Sequence, residues 1–241
     1  MSRFAFRRRT ESHPGHRSVA GGLARAAVFG VSDGLVSNVS LVIGFAGAGV
    51  APAYVRLAGL AGAIAGATSM AAGEWVSISA QNEMVYRELE VERRELKHNA
   101  ESETAELAAI YEGHGMTRQI ALDAATDVMR EPETALAVHV REELGVDPDE
   151  LGSPWSAAGL SLVCFVVGAL LPVIPWFAGR GNGAKVASIV IGVVAAAFVG
   201  LAIGKFAERR MAWSAARQVL ILLVACGATY LVGRALGVSV N

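Results

Sequence analysis

Long apolar stretches with almost no charged residues are the strongest constraint on how this 241-residue chain can fold. Residues 34–55 and 151–179 contain no charged side chain at all. A helix needs roughly 20 mostly apolar residues to cross about 30 Å of hydrocarbon. Five segments meet that requirement, at residues 26–55, 57–80, 151–179, 186–204 and 212–236. The sequence therefore predicts an all-α membrane protein with five transmembrane helices in a lipid bilayer.

Charge is distributed unevenly along the chain, although its net value is only −1. Residues 81–150 hold 18 of the 22 acidic and 7 of the 21 basic residues, a net charge of −11, and the rest of the chain carries +10. A nucleic-acid-binding function is not expected, because the basic residues stand at the ends of apolar segments and form no stripe. We predict a basic cytosolic amino terminus at 1–25, transmembrane helices at 26–80, a cytosolic helical domain at 81–152 and transmembrane helices at 153–241.

The positions of the basic residues predict the orientation, because Lys and Arg accumulate on the cytosolic side of a membrane. Six arginines precede the first span, and three more bases precede the fifth: Arg3, Arg7, Arg8, Arg9, Arg17, Arg25, Lys205, Arg209 and Arg210. We therefore expect the amino terminus and the acidic insert in the cytosol, and the carboxyl terminus on the opposite side.

The acidic insert is rich in Glu, Ala, Leu and Arg without strand-like alternation, which predicts helices. One long helix is expected over residues 82–111, ended by two glycines in Gly113-His114-Gly115. A second helix is expected over 117–130, and a third begins at Pro132 and ends at Gly145. Three helices this acidic bury little apolar core, so we expect the insert to be stabilised by a partner copy or by bound cations.

Two acidic residues fall inside apolar segments, where an ionisable side chain is costly and therefore suggests a function. Asp33 lies early in the first span and Glu74 near the cytosolic end of the second. Met70 lies four residues before Glu74 on the same helical face, and a thioether beside carboxylates suits a transition metal. The alternatives are a hydrogen-bonded or capping role for Asp33, an interfacial carboxylate for Glu74 and plain packing for Met70.

The insert also carries candidate metal ligands. On a continuous helix, five glutamates would share one stripe about 80° wide: Glu88, Glu92, Glu95, Glu103 and Glu106. Carboxylates on one face repel each other and a multivalent cation would relieve the repulsion, although a solvated acidic face is a common alternative. His139 and Glu143 lie one turn apart, which suits two ligands of a divalent metal or an ordinary surface hydrogen bond.

Three short motifs resemble the vacuolar iron transporter family. Residues 33–38 are DGLVSN, residues 69–77 are SMAAGEWVS and residues 142–145 are EELG. The resemblance extends over about residues 20–236 and includes the order of two spans, an acidic insert and three spans. It implies a homodimer that exports Fe²⁺, in some members also Mn²⁺, from the cytosol in exchange for protons.

The resemblance also implies roles for individual residues. Asp33 and Met70 match path-lining positions between the two copies, and Glu74 matches the acid at the cytosolic mouth. Two Glu-x-x-Glu pairs match metal-binding positions of the insert, namely Glu92, Glu95, Glu103 and Glu106. Where the family can show Met-Glu-x-x-Glu-Leu-Gly, this chain keeps Glu143 but has His139 and Val140 in place of the Met and the first Glu. The resemblance therefore does not fix the metal count or the preference among Fe²⁺, Mn²⁺, Co²⁺ and Zn²⁺.

We predict a proton-coupled exporter of cytosolic ferrous iron, located in the cell membrane of a bacterium or the vacuolar membrane of a eukaryote. Two alternatives stay open: manganese as the cargo, or a membrane-anchored metal sensor or storage protein. Enzymatic activity is not expected, because the sequence has neither a nucleophile–base pair nor a glycine-rich phosphate loop. No organic cofactor is expected either.

Overall fold

A computed structural model describes residues 22–147 and 151–237, and every regular element in these two ranges is helical. The elements are α1 (Gly22–Gly47), α2 (Pro52–His98), α3 (Ala100–Gly113), α4 (Arg118–Val128), α5 (Pro132–Glu143), α6 (Pro154–Leu170), α7 (Pro175–Ala178), α8 (Gly181–Phe206) and α9 (Met211–Ala235). Most of the predicted basic segment 1–25 lies outside the described residues.

Within those ranges, five helical stretches are long and apolar enough to span a membrane. They are α1, α2, the run Pro154–Ala178 that joins α6 to α7 through a short 3₁₀ turn, α8 and α9. The prediction of an all-α chain with five apolar spans is confirmed. The first span, however, ends at Gly47 and not at residue 55, because Gly49 turns the chain with a φ of 76° and Pro52 then begins α2.

Large apolar side chains remain exposed along the outer faces of these spans. Phe198 on α8 is 73% exposed and Leu220 on α9 is 62% exposed. An apolar surface of this kind is unfavourable in water but is the natural surface to place against lipid tails. Together with the five spans, it identifies an integral membrane protein.

α1 is the central helix of the bundle and packs against α2, α6, α8 and α9. Its contact with α6 is so close that glycine is required on both sides. A Cβ added at Gly34 would lie 2.2 Å from the Phe165 carbonyl oxygen, and one added at Gly168 would lie 2.3 Å from that of Val31. Small residues allow the backbones of membrane helices to approach in this way. α1 and α6 therefore form a tightly packed pair, and α2 packs against both of them.

α2 contains 47 residues and is about 70 Å long at 1.5 Å per residue, more than twice the thickness of the hydrocarbon. Its apolar part ends near residue 80, so its last four to five turns extend beyond the bilayer-spanning part. The same unbroken helix thus carries Met70 and Glu74 in the span and Glu92 well beyond it.

The predicted continuous helix over residues 82–111 is wrong. α2 ends at His98 and α3 begins at Ala100, because Asn99 has a non-helical backbone with φ −128° and ψ 35°. The single stripe of five glutamates predicted for a continuous helix is therefore wrong as well. The second and third predicted helices are present as α4 and α5, shortened at their ends.

The short helices pack through small side chains. Leu107 and Ala108 of α3 bury against Ala121 and Ala125 of α4, and α5 packs against α2. Alanine contacts let these helices approach closely although little apolar area is buried. As a result, α2, α3 and α5 each present one face to a shared interior.

Candidate metal centre and membrane cavity

Four side chains from α2, α3 and α5 converge in that shared interior and form what we call the carboxylate–imidazole cluster: Glu92, Glu103, His139 and Glu143. One ligating atom from each lies within 4.8 Å of the others. Nδ1 of His139 is 3.1 Å from a carboxylate oxygen of Glu143, 3.2 Å from one of Glu92 and 3.7 Å from one of Glu103. These distances are short enough for the four side chains to surround one metal ion.

Three of the four side chains are shielded from solvent, and Glu143 lies at the exposed edge of the cluster. The His139 side chain is fully buried, and the side chains of Glu92 and Glu103 are 12% and 10% exposed. Nε2 of His139 and one Glu92 oxygen are buried with no hydrogen-bond partner among the described residues. An imidazole carries at most one positive charge, so three ionised carboxylates leave an excess of negative charge here. A bound cation would neutralise that excess.

Burial also changes the acidity of the cluster. Loss of solvation raises the pKa of Glu92 to about 7, with the charge of Glu143 adding to the effect and His139 opposing it. Burial likewise raises the pKa of Glu103, with Glu106 as the next contribution. Near neutral pH, Glu92 is therefore protonated in a large fraction of molecules, and a metal ion that binds there must displace this proton.

The donor set of the cluster is three carboxylate oxygens and one imidazole nitrogen. Imidazole suits iron, zinc, copper and nickel, and carboxylates suit manganese and other harder ions. The set is consistent with a divalent transition metal and does not by itself separate Fe²⁺ from Mn²⁺, Co²⁺ or Zn²⁺.

The break at Asn99 is what brings Glu92 and Glu103 together. Eleven residues of straight helix would separate their Cα atoms by about 16 Å along the axis, yet their carboxylates share one cluster. His139 and Glu143, by contrast, are neighbours through their spacing of four residues on one helix.

Two other predicted ligands lie outside this group of four. The Glu95 carboxylate accepts a hydrogen bond from the Asn99 side chain, and Glu106 is exposed. Glu106 is nevertheless near enough for its charge to raise the pKa of Glu103. Metal ligation by Glu95 and Glu106 stays a prediction.

A second candidate site lies within the apolar spans. Asp33 of α1 and Met70 of α2 line one cavity of about 270 Å³, which we call the membrane cavity. Gly62 and Gly66 form its α2 wall and Phe165 of α6 closes one side. Ser37, one turn along α1, donates a 2.8 Å hydrogen bond to Asp33. A carboxylate and a thioether thus face one space, as a path for a metal ion requires.

Glu74 is not among the residues that line this cavity. Its carboxylate is 8% exposed and lies 3.0 Å from a guanidinium nitrogen of Arg25, at the start of α1. Sequence reasoning used Arg25 only to assign orientation and missed this pair. No local pattern could have revealed it, because the partners are 49 residues apart.

Sequence reasoning also missed Asn38, which lies inside the DGLVSN motif and lines the membrane cavity. Its side chain is 2% exposed and donates hydrogen bonds to the backbone carbonyls of Gly59 and Ala169. An amide within an apolar span is itself a sequence signal, because polar groups at bilayer depth need partners.

A bundle of five apolar spans with a carboxylate-lined cavity, joined to short helices that complete a carboxylate–imidazole cluster, defines a membrane protein equipped for metal ions. The sequence profile of the VIT family matches residues 24–234, nearly the whole chain, and the chain belongs to this family.

Several relatives are similar to this chain over most of their length. Vacuolar iron transporter 2 of Oryza sativa subsp. japonica is 30% identical over 221 residues, covering 91% of this chain and 90% of the rice protein. The vacuolar iron transporter of Acanthamoeba castellanii is 34% identical over 195 residues, covering 77% and 71% of the two chains. Vacuolar iron transporter 1 of Arabidopsis thaliana is 28% identical and covers 91% and 88%. These relatives are named as transporters and not as enzymes.

Proposed function

We propose that this protein exports cytosolic ferrous iron across its membrane in exchange for protons. Membership of the VIT family and relatives named vacuolar iron transporters support iron as the cargo. The observation that carries the proposal is the membrane cavity, where Asp33 and Met70 face one space at bilayer depth. An ionised carboxylate at bilayer depth costs free energy, and holding a doubly charged ion in transit would account for its presence there.

The carboxylate–imidazole cluster would collect the metal before it enters the membrane. Its four residues act with two neighbouring carboxylates, so the proposed collecting set is Glu92, Glu95, Glu103, Glu106, His139 and Glu143. Glu92 follows Glu74 by 18 residues on α2, a distance of about 27 Å along the helix. An ion leaving the cluster would follow α2 to Glu74 and then pass to Met70 and Asp33.

Protons would move in the opposite direction by titration of the same carboxylates. When the metal leaves a carboxylate, a proton from the far side replaces it, which links proton entry to metal exit. This proposal requires residues 1–25 and the helical domain 81–152 on the cytosolic side, as the basic residues around the spans predict. Five spans then place the carboxyl terminus on the other side. We further propose a homodimer, in which the path runs between the first and second spans of the two copies.

The test is Fe²⁺ uptake into proteoliposomes that hold the full-length protein and an imposed pH difference. Asp33→Asn keeps the size and the acceptor for Ser37 but removes the charge, so uptake should fall to near the level of empty vesicles. Glu208→Gln, in the turn between α8 and α9, is the matched control and should transport normally. Full transport by Asp33→Asn would remove Asp33 from the path, and absence of any divalent-ion uptake by the wild type would contradict the proposal.

Manganese is the second candidate cargo, because three carboxylates and one imidazole accept Mn²⁺ as well as Fe²⁺. Competition between the two ions in the same vesicles distinguishes them: manganese as cargo predicts that Mn²⁺ suppresses Fe²⁺ uptake at a lower concentration than the reverse. A membrane-anchored metal sensor or storage protein is the third hypothesis, supported by the carboxylate–imidazole cluster, which is assembled within one chain. It predicts metal binding without flux.

A further inference from the structure

Asn38 lines the membrane cavity and carries a buried acceptor that no described residue uses. Its side-chain amine donates to the Gly59 carbonyl of α2 at 3.0 Å and to the Ala169 carbonyl of α6. Its side-chain oxygen, Oδ1, is buried and accepts no hydrogen bond from any described residue. A buried acceptor left without a partner is unfavourable by about 1 to 3 kcal/mol, so its retention needs an explanation.

The two carbonyls fix which way the amide points. Only the –NH₂ group can donate, so rotating the amide by 180° would place an oxygen against two carbonyl oxygens. Oδ1 is thereby held on the side of Gly62, where a Cβ would lie 2.9 Å from it. Gly62 and Asn38 both line the membrane cavity, together with Asp33 and Met70.

We propose that Oδ1 of Asn38 is a further ligand for the metal ion in the membrane cavity and that it favours harder ions there. The inference deepens the proposed function and rests on it. With Asp33 and Met70, it gives a donor set of one carboxylate, one thioether and one amide oxygen. Amide oxygens ligate hard divalent ions without adding a charge, whereas a thioether favours softer metals. Asn38 thus offsets the preference of Met70 for softer metals, and it adds no negative charge that would hold the ion too strongly.

The experiment compares the uptake of Mn²⁺ and Co²⁺ by the same proteoliposomes. Asn38→Ala removes the amide oxygen and leaves Asp33 and Met70. Loss of one contact to a charged group is about tenfold or more in affinity, and the harder ion loses more of it, so the ratio of Mn²⁺ to Co²⁺ uptake should fall by about threefold. Asn38→Asp is the rescue variant. A carboxyl group at position 38 keeps an oxygen ligand at the place of Oδ1, so the ratio should return towards that of the wild type.

The controls separate ligation from a structural role, because Asn38 also joins three helices. Ser188→Ala removes a comparable buried contact between α8 and the Pro172 carbonyl, away from the cavity. A purely structural role predicts that Asn38→Ala and Ser188→Ala both reduce uptake of the two ions equally and leave the ratio unchanged, which would overturn the inference.

If Asn38→Ala does not fold, Gly62→Ala tests the same oxygen from the opposite wall. Its added Cβ would lie 2.9 Å from Oδ1 and 2.6 Å from a methyl carbon of Leu41, so both groups must shift and Oδ1 is covered. The ratio should fall here too, and an unchanged ratio would overturn the inference. Uptake by the wild type distinguishes failure of the role of Asn38 from failure of the proposed function. Uptake by the wild type with unaltered ratios in the variants contradicts the role of Asn38 alone, whereas no uptake by the wild type contradicts the proposed function.

Discussion

The carboxylate–imidazole cluster and the membrane cavity are both candidate metal sites, but they are built in opposite ways. The cluster concentrates three carboxylates around one fully buried imidazole, with ligating atoms within 4.8 Å. The cavity is lined by Asp33, already hydrogen-bonded by Ser37, together with Met70 and Asn38. One site is rich in negative charge and compact, and the other has little charge and is about 270 Å³ in volume.

The difference matches two separate requirements on a protein that moves ions. A collecting site gains from high charge, because affinity for a divalent cation rises with the number of anionic ligands. A site on a path must bind strongly enough for entry and weakly enough for exit. The comparison therefore predicts that substitutions in the cluster change mainly affinity, and substitutions in the cavity change mainly rate and selectivity.

The largest effect is expected from removing two cluster carboxylates. Glu92→Gln combined with Glu103→Gln should weaken metal binding at least about 100-fold, since loss of even an outer-shell partner of a metal ligand costs roughly 10- to 100-fold. Isothermal titration calorimetry of the full-length protein with Mn²⁺ or Co²⁺ measures the change. Glu101→Gln combined with Glu112→Gln, two exposed residues of α3, is the matched control. Equal affinities for both double variants would mean that the cluster is not the binding site.

A smaller and metal-dependent effect is expected at His139. His139→Leu fills the buried space but removes the only nitrogen of the four-residue group, so Co²⁺ affinity should fall about tenfold and Mn²⁺ affinity less, because imidazole matters less to the harder ion. His114→Leu is the control, since His114 is exposed and lies 3.7 Å from Glu142. If His139→Leu bound both ions as tightly as His114→Leu does, the imidazole would not be a ligand, and an equal loss for the two ions would contradict its predicted preference for Co²⁺.

The pH dependence of binding follows from the pKa of Glu92. Because this pKa is raised to about 7 and the metal must displace the proton, affinity should increase with pH and fall as pH drops through 7. One such proton predicts a loss of about tenfold between pH 8 and pH 6. Calorimetry at both pH values measures it, and proton release in buffers of different ionisation enthalpy confirms the exchange.

Glu92→Gln is the control for this dependence and should bind weakly but with a flatter pH profile.

The stability of the metal-free protein should show the opposite dependence on pH, falling as the pH rises. A carboxyl whose pKa is about 7 when folded and 4.5 in the reference state binds its proton more tightly in the folded protein. The stability contributed by that proton is complete at low pH and is lost as pH rises from about 4.5 to 7. A pH-independent affinity would contradict the role of Glu92.

The smallest effect is expected at the pair formed by Arg25 and Glu74. Arg25 is 63% exposed, and ion pairs with an exposed partner contribute little. Arg25→Gln should free the Glu74 carboxylate for the metal and lower the apparent KM for uptake by about twofold. Arg56→Gln, at the other end of the α2 span, should leave KM unchanged. A raised KM in Arg25→Gln would show that the pair orients Glu74 for the metal and does not compete with it.

The spans could be predicted from sequence because the hydrocarbon of a bilayer imposes a length and a composition on each crossing helix. The adjacency of His139 and Glu143 could also be predicted, because a spacing of four residues places two side chains on one face of a helix. Local rules also predicted the ends of the short helices, through Gly113, Gly115 and Pro132.

Contacts between distant elements could not be predicted in the same way. Asn99 stands in a sequence of strong helix formers, and neither a proline nor a glycine marks the break there. Without that break, Glu92 and Glu103 cannot meet. The hydrogen bonds of Asn38 require Gly59 and Ala169 to be beside it, and only the packing of α1 against α2 and α6 provides that arrangement.

The uninterrupted length of α2 makes it a lever arm. It contributes Glu92 to the cluster and Gly62, Gly66 and Met70 to the wall of the cavity, and no hinge separates them. A tilt of about 5° around the level of Glu74 would displace Glu92, ~27 Å away, by about 2 Å. A rearrangement that draws Glu92 towards α3 and α5 would thus also move the part of α2 that forms a wall of the membrane cavity.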